Sequence, residues 1–318
     1  MNATQGMTTD RADVEAAGDT ARRFALEELA PHIHAWDEAG TFPRSVYQRA
    51  AQLGLIGMGF DESLGGSPAS MAMRNAVSMA LARHSASGGL LASLFSHTIG
   101  LPPLARHGSA ALQQRVIPPV LRGEKIAALA ITEPGGGSDV ASLRTTARRE
   151  GNAWLINGEK TFITSGMRAD WITVAVRTGE PGTRGAGGIS MIVVPGDAAG
   201  LQRTELKKMG WWCSDTAHLR FDGVRVPLDH LGALPATQLL QHCQVSAGHR
   251  VPAGPGVAQP VKREPRHPGA LAARLPGVVP DAVHVDRAGR ARLPEGDLAL
   301  KVWGGDEYAR KAHPKILK

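Results

Sequence analysis

The spacing of apolar residues divides the chain into three zones. From about residue 10 to 125 they recur at a helical period. Phe24, Leu29, Ile33 and Trp36 fall close to one helical face, as do Val46, Ala50 and Leu53 ahead of Gly54. "FPRSVYQRAAQLGLIG" places proline near a helix start and glycine near a helix end. "SMALARHSASGGLLASLFSHTIG" is apolar enough to predict a buried helix pair, and prolines at 102, 103, 118 and 119 punctuate the rest.

From about 126 to 231 the period shortens. "IAALAI", "AWLIN", "KTFITS", "WITVAV", "ISMIVV" and "HLRFDGVRV" read as short strands rich in β-branched and aromatic residues. Asn157-Gly158 predicts a type I′ hairpin between two of them. Gly151-Asn152 and "GTRGAGG" mark further turns. The pattern predicts an α+β chain: a flexible start (1–12), an all-helical domain (13–125) and an antiparallel β-barrel or sandwich domain (126–231).

Residues 232 to 318 follow neither period. They hold 10 of the 21 prolines, no Phe or Met, and Ile316 as the single Ile. Such a segment buries too little apolar surface to offset the entropy of ordering it. Its excess of Arg, Pro, Ala, Gly, His and Val is what a GC-rich gene yields when read out of frame. The expectation from about 234 onward is a disordered or frameshifted tail.

Charge sharpens this division. The net charge is +7, but residues 232–318 alone carry 13 Lys and Arg against 7 Asp and Glu. The first two zones are nearly neutral and lack a basic-aromatic pattern, which argues against a nucleic-acid partner. No apolar run nears the ~20 residues needed to cross a bilayer, so no membrane insertion is expected. The start has neither a signal-peptide pattern nor the acid-poor character of a transit peptide, so a cytoplasmic address is expected. Cys213 and Cys243 are the only cysteines, which excludes a disulfide framework or a cysteine metal site.

The candidate chemistry centres on "ALAITEPGGGSD", residues 128–139. It is not a dinucleotide fingerprint, no phosphate loop is present, and no G-x-S-x-G elbow supplies a serine nucleophile. Thr132 and Ser138 flank the three glycines, and backbone amides at such a corner can cradle a polar ligand edge. The same residues read equally as a glycine-rich loop with Glu133 and Asp139 as solvated turn residues. His32 and His34 alternate as metal ligands could, yet on a helix they point apart. Trp211-Trp212 reads as packing or a loop cover, and Lys160 as a surface charge beside the hairpin.

Three long stretches carry a resemblance. "ALAITEPGGGSDVASLRTTARR", "WLINGEKTFITSG" and "KKMGWWCSDTAHLRFDGVRVP" are similar, in order and spacing, to signature stretches of acyl-CoA dehydrogenases. "FPRSVYQRAAQLGLIGM" and "VIPPVLRGEK" extend the likeness, which covers about residues 13–232.

The resemblance implies FAD as cofactor. By motif position, Leu129, Ala130, Ile131, Thr132, Glu133, Pro134, Gly135, Gly136, Gly137 and Ser138 would line the flavin. Thr132 would bond the ring, and Ser138 would lie at the junction of flavin and substrate. Phe162, Ile163 and Thr164 would form the other wall, with Thr164 near flavin N5. Phe162 stands where many members have tryptophan, keeping an aromatic face without the indole donor. Ser214, Asp215 and Thr216 would fix the sheet.

The implied reaction is α,β-desaturation of an acyl-CoA thioester, a carboxylate taking the α-proton while the β-hydrogen leaves as hydride. Electron-transfer flavoprotein would be the acceptor, and the family's helical bundle makes homo-oligomers. That bundle also carries the catalytic glutamate. Here the likeness stops after "VPLDHLGA", so the sequence supplies no catalytic residue. "KVWGGDEY" (301–308) faintly resembles a flavin-meeting stretch ending G-G-x-G-Y, with Glu307 in place of the second-last glycine. The leading expectation is therefore a dehydrogenase impaired at its C-terminus. The alternatives are an inactive acyl-CoA- or flavin-binding fragment, or a related flavin monooxygenase or nitroalkane oxidase.

Overall fold

The computed structural model describes residues 11–179 and 188–232, together with two short strands further on. Helix α1 (Arg11–Phe24) runs into a π-helical turn (Ala25–Leu29) and a 3₁₀ turn (Ala30–His32) before α2 (Ile33–Ala39). The apolar face predicted from Phe24 to Trp36 exists, but in pieces. Pro31 cannot donate the N–H that a continuous helix needs, and the π turn absorbs the offset. Phe24 and Leu29 are buried, and Ile33 and Trp36 pack against the same core.

Helix α3 (Ser45–Gln52) buries Val46, Tyr47 and Ala50, and the chain leaves it through Gly54 at φ +74°. The predicted helix pair is α4 (Met71–Ser85) and α5 (Gly88–Ser96). Serine caps both: Ser70 Oγ accepts from the Met73 N–H and Ser87 Oγ from the Leu90 N–H. Each such cap stabilises its helix by ~1 kcal/mol. The pair is not enclosed as expected, because Met79 is 70% exposed and Phe95 45%. Helices α6 (Leu101–His107) and α7 (Ala110–Leu121) complete the layer; Pro118 and Pro119 lie inside the end of α7.

Eight strands follow: β1 (Ala127–Ala130), β2 (Thr146–Glu150), β3 (Ala153–Thr164), β4 (Trp171–Arg177), β5 (Ile189–Pro195), β6 (Leu201–Glu205), β7 (Thr216–Pro227) and β8 (Leu231–Gly232). They form one sheet in the order β6-β7-β3-β2-β4-β5-β8, with β1 alongside β4. Pairing is antiparallel except for β1 with β4 and the single β2–β4 contact at Thr146 and Arg177.

The hairpin predicted at Asn157-Gly158 is absent; β3 runs straight through it. The register against β7 shifts there instead. Gly158 has φ +143°, and a Cβ on it would come within 2.6 Å of Thr145 Oγ1. Asn157 Oδ1 accepts from the Gly223 N–H at 2.9 Å. The dipeptide therefore builds an irregularity in a long strand, not a reversal. Gly151-Asn152 does turn the chain, with Gly151 at φ +60°.

One core lies under the helices around Leu90, Leu101, Leu112 and Ile117, and another inside the sheet around Ile156, Ile172, Val174 and Leu219. Polar bonds join the layers. Buried Asp215 accepts from the Met167 N–H at 2.8 Å and from Arg168 Nε at 2.9 Å. Arg168 Nη1 donates to the Phe42 carbonyl at 2.7 Å, with its guanidinium 4.5 Å from the centre of the Phe42 ring. Ser93 Oγ donates to Ser214 Oγ at 2.8 Å. Above the start of α5, Trp211 rests on Gly88 and Gly89, whose missing side chains make room for it.

Among the described residues no helix is long and apolar enough to cross a membrane. A separate unit holds a short antiparallel ladder, His284–Val285 with Ala291–Arg292. The flexible start expected over 1–12 is overtaken by α1, which begins at Arg11. Residues 1–10, nearly all of the turn expected at "GTRGAGG", the flavin-like stretch at 301–308 and the rest of the disordered or frameshifted tail, apart from those two short strands, fall outside the described residues.

Candidate functional site

The glycine corner begins where β1 ends. Leu129 pairs with Thr173 and Ala130 with Val174 of β4, so the approach to the corner is anchored in the sheet. Ala130 is fully buried, while Leu129 and Ile131 pack partly buried against Leu143, Ala175, Ile189 and Met191. The loop then closes on itself: the Glu133 N–H donates to the Gly136 carbonyl at 2.9 Å, and the Gly136 N–H to the Glu133 carbonyl at 3.1 Å. Pro134 through Asp139 are exposed.

Glu133 is not the solvated turn residue of the loop reading. It is 8% exposed, and its carboxylate turns inward. It accepts from the Arg144 N–H at 2.6 Å, the Thr145 N–H at 2.9 Å and Lys160 Nζ at 2.9 Å. Lys160 is likewise no surface charge. Its side chain is fully buried, and Nζ also donates to the Ile131 carbonyl at 2.9 Å. Burial pushes the Glu133 carboxyl up, but hydrogen bonds from Thr145, Lys160 and the Arg144 backbone hold it below the ordinary range. Burial draws the Lys160 ammonium below its ordinary value, and Glu133 pulls it back only in part.

A second stitch joins the corner to β3. The Thr161 N–H donates to the Thr132 carbonyl at 2.8 Å. Opposite β7 the pairing skips from Lys160–Leu219 to Ile163–Ala217, which leaves one extra residue on β3. That bulge turns Phe162 outward at φ +59° with 70% of its surface exposed. Ile163 returns to the sheet core at 2% exposure, and Thr164 pairs with Thr216. An exposed aromatic in the left-handed region is costly, by about 1–2 kcal/mol, and is held only by its surroundings.

The expected site residues therefore divide. Thr132, Pro134 to Ser138, Phe162 and Thr164 belong to two adjacent segments joined at Thr132–Thr161. Ala130 and Ile163 face the core, so they could meet a ligand through backbone alone. Glu133 is committed to its three donors. Asp139 accepts from Ser142 Oγ at 2.6 Å. His32 stacks on Trp36 at 5.4 Å, and the described residues contain no cluster suited to a metal.

Two features escaped the sequence reading. Lys160 sits in a strand position that alternation alone assigns to neither face, and the bulge decides it. The other is an apolar cavity of about 300 Å³ bounded by Leu55, Ile56, Phe60, Leu94, Phe95, Ile99, Leu129 and Met191. Its signal was the run "LFSHTIG", too apolar for a solvent-facing helix end.

Comparison with known proteins fits this architecture. The family model described as "Acyl-CoA dehydrogenase, N-terminal domain" matches residues 11–124, and that described as "Acyl-CoA dehydrogenase, middle domain" matches residues 128–224. The chain belongs to the acyl-CoA dehydrogenase family.

Among family relatives, benzylmalonyl-CoA dehydrogenase of Aromatoleum aromaticum is 38% identical over 217 residues, 68% of this chain and 56% of that protein. A Mycobacterium abscessus structure described as a "probable acyl CoA dehydrogenase" is 46% identical, with a TM-score of 0.68 over 72% of this chain and 61% of that one. A glutaryl-CoA dehydrogenase from Mycobacterium smegmatis, solved in complex with FADH2, is 28% identical with a TM-score of 0.68, covering 76% and 61%. The chain spans about half the length of the curated relatives it matches. The two family matches together run from residue 11 to residue 224.

Proposed function

We propose that this acyl-CoA dehydrogenase family chain binds FAD against the glycine corner and takes part in α,β-desaturation of acyl-CoA thioesters. In this reading 13–125 is the helical domain and 126–231 the β domain bearing the flavin and thioester side. One observation carries it: an exposed, left-handed Phe162 is stitched beside an open glycine corner through Thr161 and Thr132.

The corner fits a flat ligand. Gly135 and Gly136 have no positive φ, and a Cβ on either would meet nothing within 4 Å. Neither strain nor crowding within the protein calls for glycine there, whereas close approach of a planar group does. Thr132 and Ser138 would hold ring edges and thioester oxygen, Leu129 and Ile131 would line the apolar side, and Phe162 to Thr164 would form the second wall. The chemistry supplied by the bound group is two-electron oxidation of the acyl chain. The protein's part is alignment, and exclusion of water by Leu129 and Phe162.

The apolar cavity shares Leu129 with the corner, and we assign it to the acyl chain. Neither Glu133 nor Asp139 is available as the proton-removing carboxylate, so we place the base outside the described residues. That observation favours a second reading, a flavin- and acyl-CoA-binding chain without turnover, over a related monooxygenase or nitroalkane oxidase. Electron-transfer flavoprotein is the proposed acceptor, the cytoplasm the proposed location and a homo-oligomer the proposed state.

Titration of the full chain with FAD, followed by flavin fluorescence and absorbance, tests the site. Saturable binding weakened at least tenfold by Phe162→Ala supports it. Binding that ignores both Phe162→Ala and Thr132→Val would remove the corner from the flavin site. Steady-state assay with butyryl- to palmitoyl-CoA separates turnover from binding alone.

A further inference from the structure

The cavity beneath the corner is apolar apart from one region. Its lining includes no carboxylate, and its single charged residue is Arg74, accompanied by the hydroxyls of Ser78 and Thr98. Arg74 and Ser78 lie one turn apart on α4, so both face the same space. Leu129 and Met191 enter it from the sheet.

Arg74 is not accounted for by the fold. Among the described residues its guanidinium takes part in no ion pair and no side-chain hydrogen bond. It sits at the end of the first turn of α4, directly after Met71, Ala72 and Met73. A helix dipole there favours anions and opposes a cation. Beneath it lies Gly59 at φ +85°, where a Cβ would stand 3.3 Å from Arg74 Nη1. The glycine lets the planar group lie flat on the loop while bordering the cavity. A planar fork without an internal partner, beside an apolar channel, suits a carboxylate better than a methyl terminus.

We infer that Arg74 makes this cavity selective for acyl thioesters whose far end is a carboxylate, the ω-carboxyacyl-CoA class. The inference rests on the assignment of the cavity to the acyl chain. Methylenes of the substrate would run along Leu94, Ile99 and Leu129, and its terminal carboxylate would pair with the Arg74 guanidinium. A neutral chain of the same length would leave Arg74 solvated and gain nothing from it.

The test is equilibrium binding of the full chain to adipoyl-CoA and suberoyl-CoA against hexanoyl-CoA and octanoyl-CoA, with free CoA as reference. The wild type is expected to bind the ω-carboxy member of one or both pairs about tenfold more tightly, with the gain shrinking as salt rises. Arg74→Gln should erase the preference while leaving the neutral thioesters unchanged, and Arg74→Lys should keep part of it. Because Arg74 is exposed, thermal unfolding of the variants should match wild type, which separates recognition from folding. Equal or tighter binding of the neutral thioesters, or a preference that survives Arg74→Gln, overturns the inference and leaves the acyl-CoA assignment standing. Binding of no thioester more tightly than CoA removes that assignment, and the inference with it.

Discussion

The ammonium of Lys160 lies 2.9 Å from the carboxylate of Glu133, with the lysine side chain wholly shielded from water and the glutamate nearly so. This pair, with the Ile131 carbonyl and the Arg144 and Thr145 amides, ties three chain segments together behind the glycine corner. The corner's outer face is open because its inner face is saturated.

Lys160→Met should therefore be strongly destabilising. It strands a buried carboxylate beside two amides, at a cost of about 3 kcal/mol. Urea unfolding of Lys160→Met, Glu133→Gln and the double variant measures it. The double variant should be less destabilised than the sum of the singles, since it leaves no unpaired charge. A loss below 1 kcal/mol for Lys160→Met would contradict the buried pairing.

His97 gives the fold a dependence on pH. Burial pushes its imidazole down to about 4, offset only in part by the Nε2 hydrogen bond to the Val120 carbonyl at 2.8 Å. The folded state resists protonation, whereas the unfolded chain accepts a proton near 6.5. Stability from this residue is complete above about pH 6.5 and falls as pH drops toward 4, by roughly 3 kcal/mol. Buried His230, drawn down mainly by burial, acts in the same direction. Unfolding of wild type and His97→Asn from pH 7.5 to 4.5 should show a markedly flatter profile in the variant.

Phe162→Gly separates stability from binding. The ring is mostly exposed and its backbone is left-handed, so glycine should leave stability unchanged or raise it by about 1 kcal/mol. FAD affinity should fall at least tenfold in the same protein. Loss of both together would make Phe162 a structural residue.

Two glycine substitutions should behave oppositely. Gly136→Ala meets open space and should change stability by less than about 0.5 kcal/mol while weakening FAD binding. Gly158→Ala would press on Thr145 from an unfavourable φ and should cost about 2 kcal/mol or more. Calorimetry and flavin titration on both variants provide the comparison.

Much of the fold was legible because period and punctuation agreed. The strands at Trp171–Arg177 and Ile189–Pro195 are β-branched runs buried over most of their length, which no surface element would be. β2 and β6 went unseen because they are polar and largely exposed, so little in their composition sets them apart from loop. Asn157-Gly158 misled because its local preference for a turn lost to long-range pairing with β7. At the site, the glycine run could be read directly. The direction of Glu133 could not, because it stands in a loop with no strand period, nor that of Lys160, because register shifts flank it on β3.

The contact of Trp211 with Gly88 and Gly89 binds the histories of distant positions. The indole lies where a side chain at 88 would stand, and the Trp211 backbone with Cys213 Sγ closes the space above 89, so neither glycine can grow while Trp211 stays in place. Among descendants of this chain, a larger residue at 88 should travel with a smaller one at 211. A mutational library sampling 88 and 211 jointly would reveal larger residues at 88 that are tolerated only beside a smaller one at 211.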